Sequence, residues 1–299
     1  MIGRMLPSLA AAGGAEGGEF NIKEMILHHL VDSPEWEVGP WTVHFPEIKI
    51  PLGPVVLDLS ITTHVFFMAV AAILVLLIMI PAARHADRAH REGAKRGPKG
   101  VANVVEAIVL FIRDEVALPN IGHGGERFVP FVVTVFFFIL MCNLLGLVPW
   151  GASPTGNISV TAALALLSFI MIEVAGMLAL GPKGYAKTIF YAPEGMPAPL
   201  KILMLIIMTP VEFLGKLTKP FALAIRLFAN MTAGHAVVLA LTGLAVTASM
   251  AGGWVTSVAI APVAMATAIM VLELFVAFLQ AYIFAMLTSV FIGLIRHAH

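Results

Sequence analysis

Residues 61–80 read I-T-T-H-V-F-F-M-A-V-A-A-I-L-V-L-L-I-M-I, twenty positions without a single Asp, Glu, Lys or Arg. The hydrocarbon core of a bilayer is about 30 Å thick and a helix rises about 1.5 Å per residue, so roughly 20 apolar residues are needed to cross it. The stretch meets that requirement and predicts a first membrane span. Composition agrees along the whole chain: of 299 residues, 59% are hydrophobic and 12% charged, with a mean hydropathy of +0.94. A soluble domain carries about 25% charged residues, so the sequence describes an integral membrane protein.

Immediately after this span, the polar stretch from Pro81 to Gly100 carries Arg84, Arg88, Arg91, Lys95, Arg96 and Lys99, six of the eighteen basic residues. The positive-inside rule makes that loop cytoplasmic. Residues 1–57 then form an extracytoplasmic segment, in keeping with acids at Glu16, Glu19, Glu24, Asp32, Glu35 and Glu37, and residues 58–299 form the membrane domain. Residues 101–117 intersperse Glu106, Arg113, Asp114 and Glu115 among apolar positions, which suits an amphipathic helix along the cytoplasmic face. Two further spans, Phe128 to Trp150 and Ile158 to Leu180, flank G-A-S-P-T-G-N, whose Pro, Gly and Asn favour a tight connection. The next connection, residues 181–199, carries Lys183 and Lys187 on the cytoplasmic side.

The remaining apolar sequence divides at T-A-S-M-A-G-G-W into Ile202 to about Val246 and about Val255 to Leu294. Forty helical residues would reach about 60 Å, twice the bilayer core, so both segments must tilt or bend. Pro210 and Pro220 supply bending points, because each lacks the donor for the carbonyl four residues earlier. The expected fold is an all-α polytopic membrane protein. It has about five spanning segments and one interfacial helix, with the last two segments long and paired as an antiparallel hairpin. Five spans put the C-terminus inside.

Several function classes are disfavoured. Eighteen basic residues balance eighteen acids, so no charge excess gathers nucleic acid. No GxxxxGK[ST], HExxH or CxxC occurs, which removes the usual local signatures of nucleotide hydrolysis, zinc proteolysis and thiol chemistry. The single cysteine, Cys142, lies in an apolar run and reads as packing. His28, His29, His123 and the terminal histidines read as loop residues rather than a metal cluster, and no cofactor is implied. The run L-P-S-L-A-A-A near the N-terminus is a poor signal-peptide core, since Pro7 interrupts it.

Chemistry must therefore come from isolated polar residues in lipid. Between Leu227 and Ile295 there is no Lys or Arg, and Glu273 is the lone acid. Arg226 borders this region in F-A-L-A-I-R-L-F-A-N, and a guanidinium does not shed its proton to escape the membrane. Insertion scales put such a charge at about 2.5 to 3.5 kcal/mol, and simulations of an isolated helix at about 10 to 17. Either figure calls for a partner or a water-filled cavity. Snorkelling to an interface is the bland alternative, and Lys219 nearby leaves the depth of Arg226 open.

Residues at equal depth on an antiparallel hairpin have numbers with a nearly constant sum. Arg226 and Gln280 sum to 506, His235 and Glu273 to 508, and half of either falls at Gly253 to Trp254, inside the break between the arms. At 100° per residue, Asn230 lies about 40° from Arg226 and Lys219 about 20° from it, while His235 points about 180° away. Asn230 and Gln280 also suit interhelical hydrogen bonding, and His235 with Glu273 suits a buried structural contact. Glu212 also reads as an interfacial acid with Lys216. Glu173, the one charge in the third span, has no partner evident from sequence.

At K-P-F-A-L-A-I-R-L-F-A-N-M-T-A-G-H, residues 219–235, the chain closely resembles the signature of ATP synthase subunit a, and L-Q-A-Y-I-F at 279–284 resembles a second one. Weaker similarity extends over I-L-H-H-L near the N-terminus and the first three spans. The resemblance implies a proton-translocating stator of a rotary ATP synthase, not catalytic alone, in a bacterial inner membrane. Its partners would be the subunit c ring, the peripheral-stalk subunit b, other subunits of the complex and lipid. It implies that Arg226 is the essential rotor-facing charge, that Asn230, His235, Glu273 and Gln280 belong to an outer half-channel, and that Glu212 belongs to the cytoplasmic side. Some bacterial members carry glutamate where this chain has His235 and histidine where it has Glu273, so the pair is exchanged here. A secondary transporter with a midplane charged site is the main alternative, although no duplicated half is visible.

Overall fold

A computed structural model describes residues 32–38, 41–46, 48–52, 55–58, 60–91, 100–148, 150–190, 197–250 and 259–296. Lys95, Arg96 and Lys99 of the basic loop, and Gly253 and Trp254 of the hairpin break, lie outside these residues. In chain order the elements are β1 (Glu35–Val38), β2 (Trp41–His44), β3 (Lys49–Leu52), β4 (Val55–Asp58), α1 (Thr63–Arg91), α2 (Val101–Phe111), α3 (Val129–Gly146), α4 (Ile158–Ile189), α5 (Ala198–Met250) and α6 (Ile260–Arg296). Five of these helices, α1 and α3 to α6, are long and apolar enough to cross a membrane.

The expected spans sit inside these helices, and the ends differ for identifiable reasons. Helix α1 runs through Pro81 to Arg91. A proline there forfeits one hydrogen bond, to the carbonyl of Leu77, and the alanines and arginines that follow are good helix formers. Helix α4 continues beyond Leu180, bending at Gly181 (φ 70°, ψ 166°) before Pro182. That extension turns part of the second cytoplasmic connection into helix and carries Tyr185 and Thr188. Helix α5 passes both Pro210 and Pro220 in one run of 53 residues, about 80 Å at 1.5 Å per residue.

The chain forms two compact units, and α1, α3, α5 and α6 each contribute to both. The first contains the chain up to Ile73, Leu140–Asn157 and Leu227–Leu279. Its extramembrane part is two antiparallel hairpins, β1 with β2 (Glu35 opposite His44) and β3 with β4 (Lys49 opposite Asp58). Trp36 carries β1 onto the start of α1: its ring centroid lies 5.5 Å from that of Phe66 and 5.3 Å from that of Phe67, and its Nε1–H donates to the Trp150 carbonyl at 2.8 Å. The Thr63 amide, one of the orphan donors of a helix start, donates to the Ser33 carbonyl at 3.0 Å.

The second unit contains Leu74–Ile139, Ile158–Arg226 and Gln280–His299. The segment expected at the interface forms α2, continues through a π-helical turn at Ile112–Ala117 and ends in a short helix at Leu118–Ile121. Ile112, Val116, Ala117 and Ile121 are buried, while Arg113 and Asp114 stay about half exposed. This is the expected two-faced pattern. Val132, Phe136 and Ile139 of α3 and Ile292 of α6 are fully buried, whereas Leu166, Leu167, Ile170 and Leu178 of α4 stand exposed. Water would penalise that exposure, and lipid tails accept it.

Candidate functional site

The helix around Arg226 is built from strong helix formers, A-L-A-I-R-L-F-A. Leu223, Ala224 and Leu227 are buried, and Phe221, Ile225 and Arg226 are exposed. The guanidinium therefore lies on the outward face of α5. Among the described residues it takes part in no ion pair. It is a fixed positive charge in an apolar stretch, and the charge that would balance it is not supplied by those residues.

In the second unit, polar side chains converge on a cleft of about 100 Å³ lined by Glu173, Thr188, Glu212, Lys216, Lys219 and Phe291, among others. Lys216 is 8% exposed. Its ammonium lies 3.7 Å from Glu173 Oε2, donates at 3.4 Å to Tyr185 Oη and to Thr188 Oγ1, and stands 4.5 Å from the centre of the Tyr185 ring. Glu173 thus has the partner that sequence left unnamed. Lys219 Nζ is 5.1 Å from the centre of the Phe291 ring. Glu212 is exposed at the cleft rather than paired with Lys216, and Gln280 is buried. The cleft therefore presents one free carboxylate, one paired carboxylate and two cations.

In the first unit, α5 and α6 meet at Gly234 and Glu273. A Cβ on Gly234 would collide with Glu273 Oε1, so only glycine lets the carboxylate reach that depth. The meeting point agrees with the constant-sum expectation, since 234 and 273 sum to 507, between the 506 and 508 of the two predicted pairs. The imidazole of His235 is directed elsewhere. Its Nε2 is buried without a hydrogen-bond partner and would lie 2.8 Å from a Cβ on Gly146, beside Ser153. The structure therefore brings the backbone at 234–235 to Glu273, while His235 and Glu273 share no hydrogen bond or ion pair there. Asn230 is half-buried.

Two polar groups in this unit escaped the sequence analysis. His64 Nδ1 is 2.8 Å from Asp32 Oδ1, and Asn157 Nδ2 donates to Asp32 Oδ2 at 2.9 Å. Burial pushes the Asp32 carboxyl up, but the hydrogen bond and charge of His64 outweigh it and hold the group below the ordinary aspartate value. Ser153 and Thr155, both buried, have hydroxyl oxygens 2.7 Å apart; Thr155 donates to Asn143 Oδ1 at 2.7 Å, and Asn143 donates to the Ala277 carbonyl at 3.3 Å. His64 was read as part of an apolar run and Asp32 as part of an acidic bias. A histidine in the first turn of a span is the signal in the sequence that points to this cluster.

Residues 65–293 match the family model described as ATP synthase A chain. Among its relatives, the chain is 46% identical to ATP synthase subunit a 2 of Chlorobaculum tepidum over 286 residues, covering 95% of this chain and 76% of that one. It is also 46% identical to ATP synthase subunit a of Chloroherpeton thalassium, covering 90% and 75% respectively, and to that of Myxococcus xanthus, covering 89% and 85%.

Proposed function

The chain belongs to the ATP synthase A chain family, and from that membership we propose that it is the proton-conducting stator against which a ring of subunit c turns. It is an integral membrane subunit of a rotary ATP synthase. Arg226 carries the proposal: an exposed guanidinium, unpaired among the described residues, in an apolar helix.

A rotor carboxylate arriving beside Arg226 is favoured in its ionised form by the adjacent positive charge, so it gives up its proton to the cytoplasmic path. The cleft of Glu212, Glu173 and Lys216 provides acceptors and water access for that release. Leaving Arg226, the carboxylate takes a new proton from the outer path, to which Asn230, His235, Glu273 and Gln280 belong. The fixed cation repels protons, so leakage between the paths is blocked and transport requires rotation. One charge crossing 100 mV yields about 2.3 kcal/mol, so several protons are coupled to each ATP.

In this reading the chain catalyses no reaction alone. Subunit b anchors it to the peripheral stalk, its N-terminus faces outward and its C-terminus the cytoplasm. No observation favours a secondary transporter. Replacement of Arg226 by alanine tests the proposal: ATP-driven proton pumping in inverted vesicles is expected to disappear while the complex remains assembled, and normal pumping would refute the role of Arg226.

A further inference from the structure

Resting on the stator reading, we infer that His64 is an additional proton-relay residue of the outer path, positioned by Asp32 and Asn157 and serving His235. The histidine stands in the first turn of α1, 7% exposed, while the side chain of Asp32 is 26% exposed. Asp32 is thus the wet end of the cluster and His64 the buried end.

The surroundings suit an imidazole that carries protons. In the neutral ring, Nδ1–H donates to Asp32 Oδ1 at 2.8 Å, leaving the Nε2 lone pair free to accept. Nε2 points toward Gly156, from whose Cβ position it is 3.8 Å distant. Gly156 belongs to the same loop as Ser153, which borders the buried, unpartnered Nε2 of His235 across Gly146. One short loop therefore runs beside both imidazoles. Among the described residues, the charged and titratable groups around His64 are Asp32 from the N-terminal segment and His235 from α5. Glu35 contributes only its carbonyl, to Thr63, and its carboxylate pairs with His44.

The step balances as a transfer of one proton. Nε2 of His64 takes a proton from water that enters past Asp32, the more exposed member of the cluster, and Asp32 steadies the resulting imidazolium. The Nε2 proton then passes on toward His235 through water or a hydroxyl, and His64 returns to the neutral tautomer from which it began. A purely structural role, tying the N-terminal segment to α1, would use the same hydrogen bond without this cycle.

His64→Asn separates the two roles, because an asparagine amide still donates to Asp32 and does not titrate. ATP synthesis driven by an imposed proton gradient is measured in proteoliposomes of the whole complex over outer pH 5.5 to 8. Loss of a general acid–base group predicts a fall of about an order of magnitude or more, together with a changed dependence on outer pH. An unchanged rate, or one scaled equally at every pH, would overturn the inference. Should His64→Asn fail to assemble, Asp32→Asn is read instead: it keeps an acceptor for Nδ1–H and removes the steadying charge, so the profile must move to lower pH, and an unmoved profile overturns the inference equally. An Arg226→Ala arm in the same vesicles distinguishes the two proposals. Loss of synthesis there, beside wild-type behaviour of His64→Asn, would leave the stator reading standing and remove only the relay.

Discussion

Removing the carboxylate of Glu173 should strand the ammonium of Lys216 in a nearly dry site. The two side chains are only 14% and 10% exposed and their charges are 3.7 Å apart. At an effective dielectric of about 20, two unit charges at that separation attract by about 4.5 kcal/mol. Breaking a buried pair by deleting one partner costs about 3 to 5 kcal/mol. The adjoining cleft admits water, so the low end applies, and Glu173→Gln should destabilise the protein by about 3 kcal/mol. Replacing both partners, Glu173→Leu with Lys216→Met, removes the stranded charge and should recover most of the loss, because apolar pairs of similar volume substitute well for buried ion pairs. Equilibrium unfolding in mixed micelles of increasing SDS fraction would measure Glu173→Gln, and the wild type, Glu173→Leu, Lys216→Met and their double variant would give the coupling energy. A single-variant cost below about 1 kcal/mol, or a double variant no more stable than the worse single one, would refute the assignment of the pair.

Gly234→Ala places a methyl group where Glu273 Oε1 now lies; proton-driven ATP synthesis should fall markedly while the complex still assembles, and a wild-type rate would mean the carboxylate position is immaterial. His235→Ala and Glu273→Ala should each slow proton delivery and alter the pH dependence of transport, and a pH profile identical to wild type for both would count against their place in the outer path. The Asp32 carboxyl is held below its ordinary value of 3.8. Its contribution to anchoring the N-terminal segment is therefore complete above pH 3.8 and is lost as pH falls through the lower, folded value. Limited acid proteolysis of residues 32–58 should accelerate in that window for the wild type and show no such step in Asp32→Asn.

Much of this architecture was readable from hydropathy, because lipid imposes length and apolarity on every span. The five spanning helices, the interfacial segment and the two overlong arms all follow from that constraint. Helix ends were less legible: Pro81 looks like a break in sequence, yet it removes only one donor and the surrounding residues sustain the helix, whereas at Gly181 and Pro182 the backbone does leave the helical conformation and then resumes it. The hairpins at Glu35–His44 and Lys49–Asp58 were missed, since four-residue strands leave little periodic signal. Within the candidate site, isolated charges announced themselves because a charge in lipid is costly. Pairings were not legible in the same way. Glu173 and Lys216 are 43 positions apart, and His64 meets Asp32 only after the N-terminal segment folds back on α1. The constant-sum rule located the level of Glu273 at Gly234 and did not fix where the His235 ring turns, which depends on the space left by Gly146.

The central claim is that the face of α5 carrying Arg226 abuts a moving ring. A cysteine at Asn230, one turn beyond Arg226, in a background where the buried Cys142 is replaced by alanine, tests it directly when cysteines are also placed along the outer helix of subunit c. Oxidative crosslinking in native membranes should join the two subunits at cysteine positions near the ring's carboxylate, and the linked complex should stop pumping until reduced. Absence of any crosslink at every ring position, with the complex assembled and active, would contradict the stator account.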